Sequence, residues 1–277
     1  MSLLQAIVLG IVQGLTEFLP VSSTAHLILV PWLLGWPGLE EGLAFDVALH
    51  AGTLVAVVAY FRAEIVVLAR AALRLVLRPD LASDAEQRLA LMIVLGTLPA
   101  VAAGLLFKDA VETTLRSPLV IAGSLVAVAL LILIADARGR RERELAAGTL
   151  LDALAIGCAQ AVALVPGVSR SGATIAAGLG CGLTREAAAT FSFLLGLPAI
   201  LGGIVVEGPK ILEGSGTAGT GLGPCAAGAA AAAIVGYLAI RGLLALVAHR
   251  SFLPFVVYRI ALGLAVLYLT AVGGLRR

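Results

Sequence analysis

The chain has 277 residues, of which 60% are hydrophobic and only 13% are charged, and its mean hydropathy is +1.06. An average soluble domain is about 25% charged, so this composition excludes a soluble globular protein and indicates an integral membrane protein. The formal net charge of +2 says little about partners, because in a membrane protein the placement of charge matters more than its sum. We expect no nucleic-acid partner.

The first predicted element is an apolar segment, residues 2–34, that is broken in its middle at Pro20. Helix, break and returning helix describe a re-entrant hairpin, which is tolerated only where protein or a water-filled cavity satisfies the freed backbone groups. The residues around the break supply a carboxylate, three hydroxyls and an imidazole: Glu17, Ser22, Ser23, Thr24 and His26.

Three apolar spans follow at roughly 45–61, 89–107 and 118–136, because a membrane-spanning helix needs about 20 mostly apolar residues. Residues 62–88, between the first two spans, carry three arginines at helical spacing beside apolar side chains. This pattern predicts an amphipathic helix on the membrane surface.

The second half of the chain repeats this order. A second broken segment, residues 150–181, is interrupted at Pro166 and Gly167, and three further spans follow. Between the first two of these spans, residues 207–223 are rich in Gly and Thr and predict an exposed loop. The predicted spans are roughly 186–206, 224–248 and 253–275.

The two broken segments match each other at an offset of 147 residues, which places Gln160 at the position of Gln13, Ser169 at that of Ser22 and Arg170 at that of Ser23. Each half is a hairpin followed by three spans, so an odd number of crossings separates the hairpins and they enter from opposite faces. This is an inverted-topology repeat. We therefore predict a single all-α membrane domain over 1–277, with two re-entrant helical hairpins and about six transmembrane helices. Repeat 1 covers about 1–136 and repeat 2 about 150–277.

The distribution of basic residues predicts the orientation. Twelve arginines fall on one side of the predicted spans and five basic residues on the other. The positive-inside rule makes the first side cytoplasmic, so both termini and the entrance of the first hairpin would face outward. The five basic residues on the outer side are Lys108, Arg116, Lys210, Arg276 and Arg277.

Glu17 and Arg170 are the charges that the predicted topology brings together inside the membrane. A charge at a helix centre costs about 2.5–3.5 kcal/mol on insertion scales, and intramembrane charges usually mark functional sites; the alternative is an ion pair that only locks the hairpins. Backbone N–H groups at a helix N-terminus bind anions, and a guanidinium adds a planar fork of donors for phosphate oxygens. The predicted phosphate-binding residues are Gln13, Ser22, Thr24, Gly167, Ser169, Ser171, Gly172 and Thr174.

Two motifs resemble the signatures of the bacterial undecaprenyl-diphosphate phosphatase family of the bacitracin-resistance type. They are Glu17-Phe-Leu-Pro-Val-Ser-Ser-Thr-Ala-His26 and Pro166-Gly-Val-Ser-Arg-Ser-Gly-Ala-Thr174, and the resemblance covers essentially the whole chain. It implies hydrolysis of undecaprenyl diphosphate to undecaprenyl phosphate and phosphate, which recycles the lipid carrier of peptidoglycan synthesis. It also implies interlocking inverted repeats in the bacterial cytoplasmic membrane and a requirement for Mg²⁺ or Ca²⁺.

Four residues are predicted to carry the catalytic chemistry. Arg170 neutralises charge on the transferred phosphoryl group. Ser23 is the nucleophile candidate, and it needs an adjacent base, which Glu17 or His26 could supply. His26 as nucleophile and direct attack by water stay open as alternatives, and Glu17 could instead hold a divalent cation.

The sequence leaves further questions open. Inverted repeats with broken helices also describe transporters, so a carrier or flippase of polyprenyl phosphate is the alternative function; a homodimer is a candidate assembly. His50, four residues after Asp46, fits a cavity wall and a paired group inside the bundle equally well. Arg259 fits a side chain that reaches the cytoplasmic surface as well as a site residue.

A phosphatidic-acid type phosphatase is excluded, because its motif needs a His where this chain has Ala176.

Overall fold

The computed structural model describes residues 1–36, 43–81, 83–113, 115, 117–212 and 221–272. Within them the chain is helical, with turns, one short 3-10 helix at Leu145–Ala147 and one isolated β-bridge. The α-helices in chain order are α1 (Leu3–Phe18), α2 (Ser23–Leu33), α3 (Leu43–Tyr60), α4 (Arg62–Leu77), α5 (Ala85–Thr113), α6 (Pro118–Arg138), α7 (Leu150–Val162), α8 (Arg170–Gly180), α9 (Arg185–Leu212), α10 (Leu222–Val247) and α11 (Leu253–Ala271).

Five helices in the described part of the chain are long and apolar enough to cross a membrane, namely α5, α6, α9, α10 and α11. The pair α3 and α4 passes the same test together, with a bend of 84° between the two helices. The protein therefore has five or six candidate spans. The prediction of an all-α integral membrane protein is confirmed.

The 84° bend turns α4 away from α3, as expected for a helix that leaves a span and follows the membrane surface. The predicted amphipathic helix over 62–88 was too long, since α4 ends at Leu77. Arg78 precedes Pro79, and a residue before proline avoids the α region. A new helix, α5, then begins where the Asp84 carboxylate accepts a hydrogen bond of 3.0 Å from the backbone N–H of Gln87, the contact of an N-cap.

The loop predicted over 207–223 was also too long on its first side. Helix α9 continues to Leu212, so it extends through Glu207 and Lys210, which follow the apolar part of the span. Residues 213–220 of the predicted loop lie outside the described residues.

Both broken segments fold as helical hairpins. Leu27 and Val30 of α2 pack in one hydrophobic cluster with Ala6 and Leu9 of α1, so α2 returns alongside α1. In the second hairpin, Arg143 donates to the Asp152 carboxylate at the start of α7 (2.7 Å) and to the Cys181 carbonyl after α8 (2.8 Å). The start of α7 and the end of α8 therefore lie side by side, as the two open ends of a hairpin do.

Each hairpin packs against a helix of the other half, with a glycine at the closest approach. A Cβ added to Gly10 of α1 would collide with the Gly228 carbonyl of α10, and a Cβ added to Gly157 of α7 would collide with the Gly96 carbonyl of α5. Gly10 and Gly157 are related by the offset of 147 residues seen in the sequence. This exchange of hairpins between halves is the packing that an interlocked repeat requires; the repeat boundaries themselves stay a prediction.

We expect Gly157→Ala to destabilise the fold, because its methyl group would meet the Gly96 backbone and overpacking costs about 1–3 kcal/mol. The measurement is thermal unfolding of the purified protein in detergent. Gly123→Ala is the matched control, since a Cβ there meets nothing within 4 Å and alanine favours helix. Equal melting temperatures for the two variants would contradict the close contact of α5 and α7.

Polar contacts gather several helix ends at one end of the molecule. Arg185 at the start of α9 donates to Asp136 near the end of α6 (2.5 Å), and the same carboxylate accepts from the N–H of Phe252 before α11 (3.2 Å). Arg88 near the start of α5 donates to the Ala146 carbonyl (2.8 Å). These arginines belong to the side with twelve arginines. Of the basic residues predicted on the other side, Arg116, Arg276 and Arg277 lie outside the described residues.

Candidate active site

The breaks of the two hairpins meet at a cavity of about 360 Å³ that α3, α5 and α9 enclose. Its lining combines polar and apolar residues. The polar ones include Glu17, Ser22, Ser23, Thr24, His50, Gln160, Ser169 and Arg170. The apolar ones include Ala100, Ala163, Leu164, Val165, Ala199, Ile200, Gly203 and Ile204.

The Glu17 carboxylate connects the two hairpins. It lies at the end of α1 and is 8% exposed. Its Oε2 accepts hydrogen bonds from Ser23 Oγ (2.8 Å) and Gln13 Nε2 (3.2 Å), while Oε1 accepts from the Arg170 guanidinium (3.2 Å). The structure thus brings the predicted acid, nucleophile and guanidinium together. Gln13 donates a hydrogen bond to the carboxylate and does not line the cavity.

Ser23 is placed by the geometry of the break. It is the first residue of α2, directly after Ser22, whose φ of 75° is rare for a residue other than glycine. Strained backbone of this kind often occurs where a site must hold a side chain in one direction. Here it turns the chain so that Ser23 Oγ meets Glu17, the contact that links a hydroxyl nucleophile to its base.

Arg170 begins α8 and is held by contacts on several sides. One terminal nitrogen donates to the Ser192 carbonyl (3.0 Å) and the other to Glu17. Gly196 leaves the space that the guanidinium fills, since a Cβ at that position would overlap it. Arg170 Nε is buried and has no partner among the described residues, so this guanidinium retains a donor beside the cavity.

The predicted phosphate-binding residues divide into two groups. Ser22, Thr24, Gly167 and Ser169 line the cavity, whereas Gln13, Ser171, Gly172 and Thr174 do not. The second group supports the breaks: Ser171 Oγ donates to the Leu19 carbonyl (3.1 Å), and the Gly172 N–H donates to Ser169 Oγ (3.1 Å). Thr174 Oγ1 donates to the Arg170 carbonyl (2.7 Å).

His26 lies behind the first break and outside the cavity wall. Its Nδ1 is 2.7 Å from the Ser22 carbonyl, and its Nε2 is 2.6 Å from the hydroxyl of Tyr258. Because a carbonyl only accepts, Nδ1 carries the proton and the Tyr258 hydroxyl donates to Nε2. The structure therefore does not bring His26 into the cavity with Glu17 and Arg170; its catalytic role stays a prediction.

We expect Tyr258→Phe to lower turnover by about 2- to 10-fold, because it removes one hydrogen bond worth about 0.5–1.5 kcal/mol from the ring that holds Ser22. The measurement is kcat for phosphate release. Tyr268→Phe, at an exposed tyrosine of the same helix, is the control. Full activity of Tyr258→Phe would show that this hydroxyl does not support the break.

His50 is the imidazole that lines the cavity. Its Nε2 is 3.9 Å from Glu17 Oε2, and its Nδ1 donates to the Asp46 carbonyl (2.8 Å). Of the two placements that the sequence left open, the structure shows the cavity wall. The signal was the i, i+4 spacing of Asp46 and His50, which places His50 Nδ1 at the Asp46 backbone carbonyl.

Arg259 holds the two breaks together. It is fully buried, so of the two placements that the sequence left open, the one at the cytoplasmic surface is wrong. Its guanidinium donates to the carbonyl of Pro20 in the first break (3.1 Å) and to those of Gly167 (2.9 Å) and Val168 (3.0 Å) in the second. It also donates to the Leu125 and Ser124 carbonyls of α6. One side chain thus holds both breaks.

The site offers a metal ion few protein ligands. Within the described residues, no three His, Cys, Asp or Glu side chains are grouped so that they could hold a metal ion. At the centre, the Glu17 carboxylate already accepts from Arg170, Ser23 and Gln13. Since Mg²⁺ commonly binds through one or two carboxylates and substrate phosphates, these residues fit a cation shared with a phosphate ligand.

The comparison with known proteins agrees with the motifs. A model of the family described as bacitracin resistance protein BacA matches residues 6–265. A protein of Pelobacter propionicus named undecaprenyl-diphosphatase is 46% identical over 99% of this chain and 100% of its own length. A protein of the same name from Rubrobacter xylanophilus is 49% identical, over 95% of this chain and 96% of its own length. The chain therefore belongs to the bacitracin resistance protein BacA family.

Proposed function

We propose that this protein hydrolyses undecaprenyl diphosphate to undecaprenyl phosphate and inorganic phosphate. The observation that carries the proposal is the contact of Ser23, Glu17 and Arg170 at the meeting point of the two breaks. A hydroxyl, a carboxylate and a guanidinium in one cavity are the groups that phosphoryl transfer to a serine needs. Relatives that bear the name undecaprenyl-diphosphatase supply the substrate.

In the proposed reaction, Ser23 Oγ attacks the terminal phosphorus while its proton passes to Glu17. The bond between that phosphorus and the bridging oxygen breaks, and undecaprenyl phosphate leaves with the electron pair. Water then attacks the phosphoserine and gives a proton to His50, while the bond between phosphorus and Ser23 Oγ breaks. Glu17 returns its proton to Ser23 Oγ, and phosphate leaves. Arg170 neutralises the charge that develops on the phosphoryl oxygens, where electrostatic stabilisation dominates.

The mixed lining of the cavity suits this amphipathic substrate. The diphosphate binds near Arg170 and Ser23, and the prenyl chain follows the apolar residues that α5 and α9 contribute to the lining. Small residues among them, such as Ala100, Ala199 and Gly203, leave space for the methyl branches of the chain. A lipid substrate can therefore react while its chain stays in an apolar environment.

The arginine distribution supports a location in the bacterial cytoplasmic membrane with the site open to the outer face. The described arginine contacts gather at the end of the molecule where α5 and α9 begin. The cavity includes Glu207, near the opposite end of α9. By the positive-inside rule the arginine-rich end is cytoplasmic, so the cavity opens outward.

We further propose that Mg²⁺ or Ca²⁺ joins the site together with the diphosphate, next to Glu17. When bound, such a cation supplies neutralisation of charge on the phosphate oxygens. Glu17 would hold the ion, and Arg170 would add its own positive charge at the phosphate.

The test of the proposed function is phosphate release from undecaprenyl diphosphate by the purified protein in detergent, followed by mapping of a trapped phosphoenzyme. We expect the label on Ser23. Label on His26 would overturn the assigned nucleophile, and turnover without any label would favour direct attack by water. Movement of the lipid across liposomes without phosphate release would identify a carrier instead.

A further inference from the structure

The side chain of Gln160, near the end of α7, is buried at the cavity, and among the described residues its amide has no hydrogen-bond partner. It is 3% exposed and lines the cavity that Glu17 and Arg170 also line. Neither Nε2 nor Oε1 of its amide has a hydrogen-bond partner among the described residues. A buried amide that stays unsatisfied is unfavourable, so this one is suited to a partner that enters from the cavity.

The equivalent residue of the first hairpin shows which partner the amide fits. Gln13 Nε2 donates to the Glu17 carboxylate, four residues further along the same helix (3.2 Å). In the second hairpin, the residue four positions after Gln160 is Leu164, which has no acceptor. Hairpin 2 therefore keeps the amide donor but lacks the internal anion that hairpin 1 provides.

A second donor beside the same cavity is also left without a partner. Arg170 Nε is buried and unpaired among the described residues, although both terminal nitrogens of this guanidinium are engaged. One amide and one guanidinium N–H of residues that line the same cavity fit an anion with several acceptor oxygens. A phosphate group has this chemistry, whereas a single carbonyl does not.

We propose that Gln160 is a substrate-binding residue whose Nε2 donates a hydrogen bond to a non-bridging oxygen of the diphosphate, next to Arg170. The inference rests on the proposed function, and it assigns to the second hairpin an amide contact with the substrate anion like the one Gln13 makes with Glu17. A neutral amide binds the charged phosphate in the ground state and the transition state alike. Such uniform binding lowers KM and leaves kcat unchanged.

The test compares Gln160→Leu with the wild type in undecaprenyl diphosphate hydrolysis and in inhibition by inorganic phosphate. We expect KM and the inhibition constant of phosphate to rise about 10-fold or more, because a hydrogen bond to a charged group is lost, while kcat changes by less than about threefold. The melting temperature should stay equal or rise, since an unsatisfied buried amide is removed. Gln160→Glu, which keeps the shape but opposes the phosphate charge, should weaken phosphate binding further.

Gln87→Leu is the matched control. Gln87 is also 3% exposed, but its amide is satisfied by the Asp80 N–H (2.8 Å) and the Arg78 carbonyl (3.2 Å), so its loss should lower the melting temperature and leave KM unchanged. The same pattern in Gln160→Leu would overturn the proposal, as would unchanged phosphate inhibition in both Gln160 variants. If the wild type releases no phosphate, the proposed function fails separately. Stabilisation by inorganic phosphate of the wild type but not of Gln160→Leu against heating would then still support the binding contact, and equal stabilisation would refute it.

Discussion

Replacing Ser23 by alanine is expected to lower kcat for phosphate release by at least about a thousand-fold. The hydroxyl is the group that would form the covalent intermediate, and removing a nucleophile from a cooperating set abolishes nearly all of the rate that the set supplies. Ser23 Oγ also donates to Glu17 at 2.8 Å. No other hydroxyl of the described residues donates to this carboxylate, so none could replace Ser23 in the contact with the base. The measurement is single-turnover and steady-state hydrolysis of undecaprenyl diphosphate.

Ser83→Ala is the control for this substitution, because Ser83 is an exposed serine in the loop between α4 and α5. It should hydrolyse the lipid at the wild-type rate. A loss of only a few-fold in Ser23→Ala would instead mean that the serine binds the substrate and that water attacks phosphorus.

Arg170→Ala is expected to lower kcat by about 10³- to 10⁵-fold, the range for an arginine that stabilises a phosphoryl transition state. Arg170→Lys should recover only a small part of this rate. A lysine has a point charge in place of a planar fork, and it could not donate to both Ser192 and Glu17 as the guanidinium does. Both variants are measured for kcat and KM separately.

The control for Arg170 is Arg241→Ala, which removes an exposed arginine of α10 and should leave both constants unchanged. Removal of the guanidinium also leaves Glu17 without its ion-pair partner, so the melting temperature of Arg170→Ala must be recorded. A folded Arg170→Ala variant with nearly normal kcat would refute the role of the residue in the transition state.

The hydrophobic pattern predicted the helical architecture because a membrane span is a long-range average over about 20 residues. The ends of α4 and α9 were less predictable. The end of α4 depends on a single position, Arg78 before Pro79. Helix α9 continues beyond its apolar run through Glu207 and Lys210, which hydrophobicity does not predict. Pairing of the two broken segments correctly brought Glu17 and Ser23 to Arg170, because a charge inside a membrane needs a partner.

The roles of His26, His50 and Arg259 could not be read from the sequence. His26 and Ser23 are close along the chain, yet the imidazole contacts Ser22 and Tyr258, since the direction of a side chain at a break depends on backbone angles that spacing does not reveal. His50 reaches Glu17 from a different helix. Among the described residues Arg259 donates to backbone carbonyls. The breaks in the sequence predict freed carbonyls but not which distant side chain binds them.

The contacts of Arg259 restrict how this protein can move. A transporter with inverted repeats exposes its central site alternately to the two faces by rocking one part against the other. Here a single guanidinium joins the Pro20 and Gly167 carbonyls of the opposing breaks and the Leu125 carbonyl of α6. Separating the breaks would leave these buried carbonyls unsatisfied, each at about 1–3 kcal/mol. These hydrogen bonds therefore hold the two breaks in a fixed arrangement around the site. Alternating exposure of the site to the two membrane faces would require breaking them.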